Sequence, residues 1–142
     1  MIKDLFKNAF KDRTVGFYVT LSAAIIAFIG ALLYLITDGT DRTFSLGAFL
    51  FLLIGAISVA LTVFTDLKFA PVIPSVLYTA GLAMCLRVVL PSLSDVWNGV
   101  HFIGGNAVLG TIFAAIFLVA DVCSITACFM EQRKFESYTK AE

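Results

Sequence analysis

Charge is scarce in this sequence. Only 14% of its 142 residues are charged, against about a quarter in an average soluble domain, while 60% are hydrophobic and the mean hydropathy is +0.97. Such a composition excludes a water-dissolved globule. Histidine is limited to His101, which excludes a multi-histidine metal site or a bis-histidine haem within one chain. Cys85, Cys123 and Cys128 form no CxxC pair, and all three lie in apolar runs, so they are read as packed thiols and not as a disulfide framework. No GxSxG, GxxxxGK[ST] or HExxH motif occurs, which removes the common hydrolase, nucleotide-binding and zinc-protease signatures. No cofactor, no metal and no enzymatic activity are expected. Basic residues are nearly confined to the two ends, leaving no surface for nucleic acid.

What is present is a series of long apolar runs. About 20 apolar residues cross the hydrocarbon core as a helix, and four runs of that kind are read at about 15–36, 44–64, 70–90 and 102–130. The fold class expected is an all-α integral membrane protein, an antiparallel bundle of four transmembrane helices. The first run is too long for the apolar core of a signal peptide and has no clear small-x-small cleavage site after it. The fourth run is longer than one bilayer requires, so it is expected to tilt or to continue as a helix through Glu131, Gln132, Arg133 and Lys134.

Charge asymmetry sets the expected orientation. Lys3, Lys7, Lys11, Arg13, Lys68, Arg133, Lys134 and Lys140 fall on one side, and Arg42 alone falls in a loop on the other. The positive-inside rule therefore places both termini in the cytoplasm, in a plasma membrane read as a bacterial inner one. Residues 1–14 put Ile2, Leu5, Phe6, Ala9 and Phe10 on one helical face and Lys3, Lys7 and Lys11 on the other, the pattern of an interfacial amphipathic helix on anionic lipid. Residues 131–142 read as a charged cytoplasmic tail, and the short connection at 65–68 as a tight cytoplasmic hairpin.

Prolines and glycines punctuate the rest. Pro71 and Pro74 fall in the first turns of the third run, where a missing amide hydrogen matters least. Pro91 is expected to end that run, with Ser94 capping a separate short helix that carries Leu93, Val96, Trp97 and Val100. Trp97 and Tyr34 suit an interfacial aromatic belt, and Gly104 and Gly105 allow the chain to turn into the fourth run.

Small and polar residues recur at alternating steps of three and four in every run. The stripes are Gly16, Thr20, Ala23, Ala27, Gly30 and Tyr34; Gly47, Phe51, Gly55, Ser58 and Thr62; Pro74, Tyr78, Gly81 and Cys85; and Asn106, Gly110, Ala114, Phe117, Asp121, Ser124 and Cys128. Such spacing marks faces that pack helix against helix. Asp121 stands out, because an intramembrane carboxyl needs a partner or a proton. Axial arithmetic puts it about 5 Å to the cytoplasmic side of its run's centre, level with Thr20, Ser58 and Tyr78 as hydrogen-bond donors. It is read either as a protonated structural carboxyl or as a proton- or ion-coupling site. Arg87 lies about 15 Å away along the membrane normal, too far to pair, so it is expected to snorkel or to meet Asp38, Asp41 or Asp95.

A second polar group, Arg87, Asp95, Asn98, His101 and Asn106, could line a shallow outward-facing site, though loop solvation explains it equally. The functional expectation is a non-enzymatic accessory or interaction subunit, with the lipid bilayer and a membrane-protein partner or second copy as its company. The alternatives are a small oligomeric transporter or channel coupled at Asp121, and a membrane enzyme using Asp95 and His101.

Overall fold

A computed structural model describes residues 1–11, 13–65 and 69–132, and all regular structure among them is helical. The chain runs as α1 (Ile2–Ala9), α2 (Val15–Asp38), α3 (Leu46–Phe64), α4 (Val72–Trp97) and α5 (Ala107–Cys128). Helices α2 to α5 are each long and apolar enough to cross a membrane. The residues of the 65–68 hairpin beyond Thr65, and the tail from 133 onward, lie outside the described residues.

Local chemistry explains most of the helix ends. Ser45 caps α3, its side-chain oxygen accepting from the Ala48 amide at 3.3 Å, and Asn106 caps α5 by accepting from Leu109 at 3.1 Å. Pro71 precedes α4 and Pro74 lies in its first turn, where an amide hydrogen has no intrahelical acceptor to lose. Pro91 does not end this helix. It sits inside α4, which continues to Trp97 and absorbs the separate short helix expected after Ser94. The stop comes from Gly99 at φ +70°, a left-handed residue that glycine adopts without penalty. Its amide bonds Val96 O at 3.2 Å and the Val100 amide bonds Asp95 O at 2.9 Å, the paired bonds of a Schellman cap. The fourth long helix is shorter than expected at both ends. It starts at Ala107 and ends at Cys128, and Glu131 and Gln132 fold back over the start of α2 and do not extend it. There the Thr14 hydroxyl donates to Glu131 O, and a Cβ on Gly16 would lie 2.7 Å from that of Met130.

The long helices close a ring in which α2 packs on α3 and α5, and α4 packs on the same two. Glycines set the approach. A Cβ at Gly55 would fall 2.6 Å from the Tyr78 ring, one at Gly81 3.0 Å from Leu52, and one at Gly30 3.2 Å from Phe117. The first, third and fourth stripes are buried almost throughout, with Asn106 exposed and Cys128 half-buried. On α3, Gly55, Ser58 and Thr62 are buried, whereas Gly47 and Phe51 are partly exposed and Ala48, Leu52 and Val59 take the most enclosed places. Tyr34 is a core residue, fully enclosed, and does not belong to an interfacial belt. Its ring meets Phe44, Phe113 and Phe117 at centroid distances of 4.9, 5.2 and 5.4 Å. Trp97, by contrast, is 89% exposed.

Two features at the α3–α4 contact predict opposite outcomes. Gly55→Ala drives a methyl into the Tyr78 ring and is expected to cost about 1–3 kcal/mol, lowering the unfolding midpoint in detergent. Tyr78→Phe removes a buried hydroxyl that has no hydrogen-bond partner among the described residues, and is expected to leave that midpoint unchanged or raise it.

Candidate functional site

The two buried carboxyls lie in different places, Asp38 at a helix end and Asp121 within a seam between helices. At the end where the α2–α3 and α4–α5 loops meet, the last residue of α2 is Asp38. It is fully enclosed, and the Thr43 hydroxyl lies 2.8 Å from each of its oxygens. The Tyr34 hydroxyl donates to Thr43 O at 2.8 Å and accepts from the Ser45 amide at 2.7 Å. Thus one loop threads its polar backbone into the bundle and satisfies it on Tyr34, as buried amides and carbonyls require. A Cβ on Gly110 would lie 3.3 Å from Thr43, so α5 closes over this group.

A shell of backbone bonds surrounds it. Asp41 accepts from the Asn106 amide at 2.9 Å, and the Arg42 guanidinium donates to Ile103 O at 3.0 Å. Asp95 accepts from the Ile103 amide at 2.7 Å, and Ser92 donates to Gly104 O at 3.0 Å. These bonds tie the two loops together, with Gly104 and Gly105 at φ +74° and +91°. Arg87 meets none of Asp38, Asp41 or Asp95. It is exposed and makes no ion pair with a described residue. His101 is exposed, Asn98 bonds back to Ser94 O at 2.9 Å, and Asn106 is spent on capping α5. Asp95, Asn98 and Asn106 are therefore spent on loop and cap bonds, Arg87 and His101 are exposed, and the five do not converge on one point.

The second carboxyl, Asp121, lies in the seam between α4 and α5 and is 5% exposed. Its Oδ1 accepts from the Thr79 hydroxyl at 3.0 Å. None of the donors expected from depth alone bonds Asp121 among the described residues, and the Tyr78 hydroxyl has no partner there at all. Thr20 donates to Gly16 O at 3.0 Å and Ser58 to Gly55 O at 2.7 Å, each within its own helix, and the Tyr78 ring lies against Gly55 on α3. Axial level fixes neither which helix is adjacent nor which face it presents, and the adjacent face of α4 carries Thr79. Ser75, one turn before Thr79, lies 2.8 Å from Ser124 Oγ and 3.1 Å from Cys128 Sγ. Pairing Ser75 and Thr79 at one-turn spacing with Asp121, Ser124 and Cys128 was the signal that could have found this seam. No such signal separates Asp38 from Asp41.

Among the described residues no group of three or more histidine, cysteine or acidic side chains could hold a metal. The four long apolar helices mark the chain as a multi-pass membrane protein with four candidate spans. Comparison with family models, curated proteins and solved structures finds no match to this chain.

The Thr43 bond is testable. Thr43→Val leaves the enclosed Asp38 without its donor and is expected to cost about 1–3 kcal/mol. Thr43→Ser keeps the hydroxyl and is expected to retain most of the stability, both read by thermal unfolding of the purified protein in detergent.

Proposed function

We propose that this chain is a plasma-membrane protein, of the bacterial inner-membrane type, acting as a non-enzymatic accessory or interaction subunit. Its four long helices form an antiparallel bundle with both termini in the cytoplasm. The observation that carries the reading is a filled axis: Tyr34, Leu52, Tyr78 and Phe117 are all fully enclosed where a conduit would run. Antiparallel packing is supported by the pairs Gly47 with Met84, Gly81 with Leu52 and Gly55 with Tyr78, in which numbers rise along α3 as they fall along α4. Ser75 with Ser124 and Thr79 with Asp121 repeat that relation between α4 and α5.

Orientation rests on the bias of basic residues along the sequence, and among the described residues Lys3, Lys7, Lys11 and Arg13 gather at the end carrying α1. There Arg13 donates to Ala9 O at 2.7 Å and Val63 O at 2.9 Å, and Phe6 packs edge-on to Phe64, joining α1 to α3. Ile2, Leu5 and Phe6 remain exposed, as a helix lying on a lipid surface requires.

A second reading, a small oligomeric transporter or channel coupled at Asp121, is favoured by one observation. Oδ2 of Asp121 accepts no hydrogen bond from a described residue. The two readings part in proteoliposomes. The accessory reading predicts no proton or ion flux above protein-free vesicles, and sustained flux abolished by Asp121→Asn would replace it with the second. For topology, a C-terminal fluorescent-protein fusion is expected to fluoresce and an alkaline-phosphatase fusion to be inactive, and the reverse pair would overturn the orientation.

A further inference from the structure

The two buried carboxyls of the long helices are built differently. Asp38 is closed on every side, and its one hydroxyl partner faces both oxygens. Asp121 is bonded on one oxygen only, and the residue that bonds it, Thr79, is itself exposed on the outside of the bundle. Asp121 is itself buried, but its donor among the described residues reaches the bundle surface.

Polar atoms continue from Asp121 in one direction. The Thr79 hydroxyl also reaches Ser75 O at 2.9 Å, and Ser75 Oγ contacts Ser124 Oγ and Cys128 Sγ. The Cys128 thiol in turn reaches Pro71 O at 3.3 Å, at the end of the bundle that carries α1. In the other direction the buried residues where α4 meets α5 are apolar, with Leu82 and Phe117 followed by Val89 against Gly110, and the one buried thiol of α4 in that stretch, Cys85, is paired with the Tyr34 hydroxyl. Among the described residues no charged group faces Asp121 from a neighbouring helix. The α4 face presents Thr79 and Ser75, Tyr78 is turned to Gly55, and the buried middle of α2 consists of Ala23, Ala24 and Ala27. Along α5 itself the nearest titratable groups are the thiols of Cys123 and Cys128.

We propose that Asp121 is an exchangeable proton-binding site, entered from the α1 end of the bundle along the α4–α5 seam, and that Asp38 is sealed from exchange. An ionised carboxylate without a counter-charge is costly in hydrocarbon, so the neutral acid is the form that the seam admits. Hydroxyl and thiol groups one turn apart lower the cost of bringing water to it from one side, whereas the apolar stretch beyond blocks the other. The inference rests on the bundle lying in a bilayer, which the fusion assay tests separately. It holds under either functional reading, because binding a proton does not require moving one across.

The test uses the full chain in vesicles of neutral phospholipid, sorted for a single orientation, with dicyclohexylcarbodiimide as the probe. The acid O–H adds across one C=N bond, the carboxyl oxygen bonding the central carbon as the proton passes to nitrogen. The acyl group then migrates to nitrogen as a stable N-acylurea with nothing lost, and the carboxylate cannot start the sequence. Peptide mass spectrometry is expected to find the adduct on Asp121 and none on Asp38, and Asp121→Asn to reduce it to background while the protein stays monodisperse. Raising the pH in the compartment that faces α1 is expected to lower the yield several-fold, and raising it in the other compartment to leave it unchanged. The double change Ser75→Ala with Ser124→Ala is expected to slow the response without abolishing the adduct. An unlabelled Asp121, labelling of Asp38 to the same extent, or a yield that follows the opposite compartment or neither would overturn the proposal.

Discussion

Apolar helices surrounded by hydrocarbon gain nothing by hiding oily surface from one another, so they hold together only where their backbones come close enough for dense van der Waals contact. That constraint governs this fold. Gly55 must lack a side chain because the Tyr78 ring occupies its place, and Gly81 and Gly30 yield in the same way to Leu52 and Phe117. Large rings on one helix fill the gaps that small residues leave on the next, and the axis closes. The same close approach brings Ser75 to Ser124 and Thr79 to Asp121, so the polar contacts follow from the packing.

Close packing also dictates how polar groups are treated. Within the helices, Thr20, Ser58 and Thr62 return their hydroxyls to carbonyls of their own helix, which satisfies them without a partner helix. The α2–α3 loop has no such recourse and borrows Tyr34, whose hydroxyl serves two backbone groups while its ring packs against three phenylalanines. The side chain that fills the core therefore also pins the loop.

The four spans and the helix faces were legible because both rest on periodicity. A residue's place on an α-helix follows from its number, and stripes such as Gly16 to Tyr34 end up inside. The ends were less legible. Pro91 is a breaker by local rule, yet a helix in apolar surroundings forgoes one hydrogen bond more readily than it ends early, and Gly99 supplies the left-handed stop that proline cannot.

The candidate site shows the sharper division. That Asp121 lies inside a span, on the face shared with Gly110 and Ser124, was determined by the sequence alone, through hydropathy and helical spacing. That Thr79 is its donor was decided by tertiary structure, because axial level says nothing about which neighbour stands beside a given face. Asp38 is the extreme case. In sequence it is one of two aspartates in a short polar loop, and only the fold distinguishes them: α5 covers Asp38 and Thr43, while Asp41 remains at the rim to bond the amide of Asn106. Periodicity is written along one chain, but enclosure depends on what another segment places on top.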